Sequence, residues 1–168
     1  MIGQAEHRRK GAEPVTATVR AAIRFAPKRT LAQLVVDGKE GYIAGQTYKG
    51  GPDSGSIVPM DGPMKDSKNT ILGNLGLRPQ DLTMSFLYWD LVKELPAQSV
   101  KSLDCRALLL QSPDKKENVR VYASSDYLFP LRAEWLDPSG PEDQKPKRTL
   151  EAVSFREEDN KFWVLTGL

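Results

Sequence analysis

The chain has one cysteine and one histidine among 168 residues, and these scarcities exclude more chemistry than any motif suggests. A lone Cys105 rules out an internal disulfide and any metal site built from a cysteine cluster. It reads as a small strand residue of the core. His7 lies in a polar stretch at the start of the chain, so a serine or cysteine hydrolase would lack its histidine base in the folded part. With one histidine and one cysteine, a metal would be left with carboxylates and carbonyls, and Asp53, Asp61 and Asp66 do not have the spacing of a calcium loop. Gly50-Gly51 and Gly73-Asn74-Leu75-Gly76 lack the strand, the glycine order and the Lys-Ser/Thr ending of phosphate loops, and read as turns. Thus no cofactor is expected. Long apolar runs are also missing, which argues against a membrane-spanning helix. The formal charge of +2 is too small to indicate a nucleic-acid partner.

The N-terminal residues Met1 to Lys10 carry basic side chains with no apolar segment behind them, so no signal peptide is read in this chain. Any leader is expected to have been removed or to lie outside it. Residues 1–13 are expected to form a polar N-terminal arm or short helix, and residues 14–168 a single domain.

What is present is alternation. Leu103, Cys105, Ala107 and Leu109, then Val119, Val121 and Ala123, then Leu131, Ala133 and Trp135 are apolar at every second position. Ser112-Pro113-Asp114, Ser124-Ser125-Asp126 and Asp137-Pro138-Ser139-Gly140 separate them with turn chemistry, giving an antiparallel meander. Val15 to Phe25 is the clearest strand, followed by Leu31 to Val36, a hairpin at Asp37-Gly38, and Gly41 to Tyr48. The glycine- and proline-rich stretch Gly50 to Pro63 reads as a long loop holding Ile57, Val58 and Met60, a partly apolar flap. Leu82, Phe86 and Trp89 share a helical face after Pro79, which predicts a helix over 79–89. Two last strands are expected at Arg148 to Phe155 and Phe162 to Leu168, joined by Glu157 to Asn160.

Glu94, Asp104, Glu134 and Glu151 are the carboxylates that could meet as an acid and base pair, the basis of a carbohydrate-acting alternative. Their bland reading is the solvated outer face of amphipathic strands. Arg8-Arg9-Lys10, Lys115-Lys116 and Lys145-Pro146-Lys147-Arg148 read as solvated loops.

Taken in order, Leu72-Gly73-Asn74-Leu75, Asp81-Leu82, Phe86-Leu87-Tyr88-Trp89, Cys105 to Leu110, Val119 to Tyr122 and Tyr127 to Glu134 resemble the LolA-like outer-membrane lipoprotein-sorting proteins. The resemblance covers about the C-terminal 100 residues, and the first 50 by pattern only. It implies a mainly β (α+β) fold, a strongly curved, unclosed antiparallel half-barrel with covering helices, and a non-catalytic periplasmic or envelope carrier of lipoprotein acyl chains or other lipids. Arg78 stands where a small polar helix cap is expected before Pro79. The bulky apolar residues on alternating strand positions, Val19, Ile23, Val121, Leu131, Trp135, Phe155 and Trp163, are the candidate ligand-lining set. The alternative is an envelope protein–protein interaction module with a filled core, working through a sheet edge or face.

Overall fold

The computed structural model describes residues 2–7, 11, 13–49, 55–63, 66, 69–127, 129–141, 143–152, 154–158 and 162–167, without the side chains of Phe25, Leu82, 155–158 and 162–167. Among the sequence expectations, Arg8-Arg9-Lys10, Gly50 to Ser54 and the Asp159-Asn160 turn lie outside it. The chain divides into two compact units, Met1–Tyr88 and Trp89–Leu168. The mainly β class expected from the sequence is the one observed, as two five-stranded antiparallel sheets and one two-stranded sheet.

The first unit is a simple meander of β1 (Ile2–His7), β2 (Val15–Phe25), β3 (Arg29–Val36), β4 (Glu40–Thr47) and β5 (Gly55–Pro59), in spatial order β1-β2-β3-β4-β5. Asp37 and Gly38 both take positive φ, 51° and 67°, in the tight three-residue connection between β3 and β4, where the Lys39 amide donates to the Val36 carbonyl at 2.9 Å. Two expectations are corrected here. Residues 2–7 are neither a loose arm nor a helix but an edge strand, with Ala5 opposite Ala17 and His7 opposite Val15. The loop from Gly50 to Pro63 contains β5, whose Ile57 and Val58 pair with Ala44 and Ile43.

One face of this sheet is covered by α1 (Ile71–Asn74), where a turn was expected. Leu72 and Leu75 pack with Ala17, Leu34, Val36 and Tyr42 in a buried cluster, with Val19 and Ala21 at its margin. The helix is held at its start by side chains: Thr70 Oγ1 accepts from the Gly73 amide at 3.0 Å, and Glu40 accepts from the Ile71 amide at 2.6 Å. Glu40 also accepts from the Tyr42 hydroxyl. Burial, reinforced by Glu40, pushes the Tyr42 phenol up to about 12. His7 Nδ1 meets the Leu75 carbonyl at 2.9 Å, tying the edge strand to the helix end.

The single helix expected over 79–89 is broken in two. The chain forms α2 (Pro79–Leu82), turns through Met84 at φ 53°, and continues as a 3-10 turn over Ser85–Tyr88. Arg78 lacks a capping side chain, and Asp81 replaces it by accepting from the Arg78 amide at 2.8 Å.

The second unit contains β6 (Asp90–Val100), β7 (Leu103–Gln111), β8 (Asn118–Ser124), β9 (Pro130–Leu136) and β10 (Arg148–Glu151), in the order β10-β9-β8-β7-β6. Strand β6 has no counterpart in the sequence reading. The single strand expected from Arg148 to Phe155 ends at Glu151, and β11 (Ser154–Glu158) pairs with β12 (Phe162–Gly167) in the separate two-stranded sheet.

Candidate functional site

In β7, β8 and β9 the alternation leaves apolar residues on both faces. Register places Leu110 beside Val119 and Val119 beside Trp135, and likewise Leu108 beside Val121 and Val121 beside Ala133, so these six share a face. Val119, Val121, Ala133 and Trp135 are all buried there. The Arg148 guanidinium lies 3.7 Å from the centre of the Trp135 ring and caps this face by a cation–π contact. The opposite face has its own buried cluster of Val100, Cys105, Ala107, Tyr122 and Leu131.

Leu131 belongs to that second cluster because the ladder shifts between Tyr122 and Ala123, which gives β9 one extra residue. A bulge puts consecutive residues on one side, and the simple alternation of Leu131 with Ala133 and Trp135 fails there. Cys105 is a buried core residue, and burial raises its thiol above the ordinary value. A protonated, enclosed thiol is a poor nucleophile.

Beside the second cluster runs a chain of charges. Glu134 accepts from Arg120 through Nε at 2.8 Å and lies 2.7 Å from its Nη2, while the Tyr122 hydroxyl donates to the same oxygen at 3.2 Å. Arg132 lies 3.8 Å from the other Glu134 oxygen and donates to Glu151 at 2.7 Å. Lys101 stands 3.5 Å from Glu151 and donates to the Ala152 carbonyl at 2.6 Å. Both guanidinium groups lie 5.9 Å from the centre of the Tyr122 ring. The side chains of Arg120 and Glu134 retain only 16% and 10% exposure, so the reading of Glu134 as a solvated outer residue is corrected. The expected carboxylates are therefore only partly brought together. Glu134 and Glu151 meet through Arg132, whereas Glu94 is engaged by Arg106 at 2.9 Å and Asp104 by Ser99 at 3.1 Å.

Burial pushes the Glu151 carboxyl up, but Arg132 and Lys101 outweigh it and hold the group below its ordinary 4.5. Glycoside cleavage needs a protonated acid near neutrality, and this pairing works against one. The depressed value has a stability consequence. The contribution is present above the unfolded-state value and is lost as pH falls through the lower folded-state value. Glu151→Gln is therefore expected to flatten the acid limb of a stability-against-pH curve below about pH 4.5, and an unchanged limb would show the pair to be screened.

The candidate lining residues are spread over both units. Val19 is half-buried at the margin of the first unit's core, while Ile23, on the same face of β2, is 40% exposed. Val121 and Trp135 stand on one face of the second sheet and Leu131 on the other. Phe155 and Trp163 lie in β11 and β12, and their side chains are outside the described residues. Around Ile23 the register runs Ile23, Ala32, Ala44, Ile57 across the sheet, two small residues between two large ones.

The chain matches no protein-family model and no curated protein sequence. Several solved structures resemble it, among them two that do so along nearly its whole length. A DUF1329 family protein from Desulfovibrio piger superposes with a TM-score of 0.61 at 14% identity, covering 97% of this chain and 73% of that one. An outer membrane lipoprotein-sorting protein domain from Vibrio parahaemolyticus superposes with a TM-score of 0.60 at 12% identity, covering 96% and 72%. At such identities it is the backbone arrangement that is shared, and the chain has the mainly β, LolA-like fold of a lipoprotein-sorting protein domain.

Proposed function

We propose that this chain is a non-catalytic carrier or binder of lipoprotein acyl chains or other lipids, acting in the periplasm or cell envelope. The observation that carries the reading is the apolar character of both faces of the second sheet. A sheet that packs on one side and meets water on the other alternates cleanly, and this one does not. The likeness to a lipoprotein-sorting domain supports the same reading. In the first unit, Ile23 offers an exposed apolar side chain beside Ala32 and Ala44, and Val19 extends that face toward the core. In the second unit, Val121 and Trp135 on one face, Leu131 on the other, and Phe155 and Trp163 of β11 and β12 are the candidates for contact with an acyl chain. Transfer of an acyl chain from water gains about 0.8 kcal/mol per buried methylene, so enclosure of even part of a chain would retain it.

Native mass spectrometry of the gently purified protein is expected to show a stoichiometric acylated ligand, and delipidated protein is expected to take up a fluorescent fatty acid. Ile23→Asp should weaken that uptake at least about tenfold, because a carboxylate would have to be desolvated beside the chain. A bare protein that takes up no fatty acid would end the carrier reading. The interaction-module reading would then lead, favoured by exposed Leu91 and Val92 on edge strand β6.

A further inference from the structure

The face of the first sheet opposite α1 has a composition of its own. Register sets Ile2, Arg20, Val35 and Gly41 in one row across the strands, Ala22, Gln33, Ile43 and Val58 in the next, and Arg24, Leu31, Gly45 and Ser56 in a third. Arg29 and Thr47 follow beyond them. Met60 sits at the end of the first row: its amide donates to the Gly41 carbonyl at 2.8 Å, and its side chain occupies the space a Cβ on residue 41 would need. Gln33 donates to the Met60 sulfur at 3.4 Å, so the methionine is laid across the sheet.

Large apolar side chains are left in water here. Ile2, Ile43, Val58 and Met60 are all exposed, Val58 to 57%. Among the described residues, Arg20, Arg24 and Arg29 are exposed on the same face without an ion-pair partner, and none of the three rows contains a carboxylate. At one end of it Glu6 pairs opposite Thr16 and Asp37 accepts from the Thr18 amide at 2.7 Å, and Asp61 follows Met60 in the chain.

We propose that this face docks on an anionic lipid bilayer surface, with Ile43, Val58 and Met60 entering the headgroup boundary and Arg20, Arg24 and Arg29 meeting lipid phosphates. Exposed apolar side chains ringed by unpaired cations suit that surface, which offers hydrocarbon and negative charge together. A second copy of the chain suits it less. A two-fold contact through this patch would set the three arginines against their own counterparts without a carboxylate between them. The proposal does not depend on an acyl chain being held elsewhere in the molecule.

Co-sedimentation of the full chain with phosphatidylcholine vesicles, with and without phosphatidylglycerol, tests it at low and high salt. Binding is expected to the anionic vesicles and to fall with salt. The triple variant R20Q/R24Q/R29Q should lose on the order of 100-fold in partitioning, while R20K/R24K/R29K retains it. I43S/V58S, two exposed positions, should weaken binding with an unchanged thermal melt. No sedimentation with anionic vesicles, or equal sedimentation of wild type, R20Q/R24Q/R29Q and I43S/V58S, would overturn the proposal. So would a concentration-dependent dimer in light scattering that these variants abolish. Fatty-acid uptake without vesicles, measured on the same samples, reports on the carrier reading separately and is expected to be unchanged by the arginine variants.

Discussion

Replacing Glu134 with alanine is expected to destabilise the protein by about 3 kcal/mol or more. The carboxylate receives both Arg120 contacts and the Tyr122 hydroxyl, and the pair keeps little exposure. Its removal takes from the Arg120 guanidinium, beside a buried cluster, the carboxylate that two of its nitrogens reach, and that loss accounts for most of the cost. Glu134→Gln should cost less, since it still accepts a hydrogen bond. The double replacement R120M/E134L should recover much of the loss, because it removes both desolvation penalties. Urea unfolding followed by circular dichroism measures each value. A loss below about 1 kcal/mol for the alanine variant would mean that water screens the pair as it does at a surface.

Truncating Trp135 to alanine should cost about 3–5 kcal/mol. The indole is buried on the face it shares with Val119, Val121 and Ala133, and its ring carries the Arg148 guanidinium. Loss of the ring leaves a large void and also deprives Arg148 of its stacking partner. Arg148→Ala alone is expected to cost about 1 kcal/mol, the range of a partly exposed cation–π contact. The measurement separates two roles for Trp135. A large loss of stability places the side chain among the packing residues of the sheet, whereas a small loss accompanied by reduced fatty-acid uptake would place it against an unfilled space.

Central strands were legible in the sequence for a simple reason. β2, β3, β4, β7, β8 and β9 each have a neighbour on both sides, so their side chains are sorted between faces and the sorting is written as alternation. The strands that were missed, β1, β5 and β6, are all edges. An edge strand has one neighbour and more water, so its sequence is free to be polar, as in Gly3, Gln4 and Glu6. In β6 the period is broken twice by bulges, and Pro96 falls within the second irregularity. The hairpin after it turns on Lys101 and Ser102, both at positive φ, with no glycine or asparagine to announce it.

The sequence by itself therefore determined the β class, the central meanders, the Asp37-Gly38 hairpin, the core cysteine and the chemistry that a single histidine cannot perform. Tertiary structure alone decided how the chain is closed at its margins and where its charges go. Alternation assigns a residue to a face but does not say what lies over that face, so Glu134 read as solvated until Arg120 and Tyr122 were found around it. It also cannot register an extra residue, and one bulge in β9 separates Leu131 from Trp135. On the first sheet the same limit applies in reverse. Arg20, Arg24 and Arg29 are far from Ile43 and Val58 in sequence, and only antiparallel pairing through β3 and β4 lays them on one exposed face.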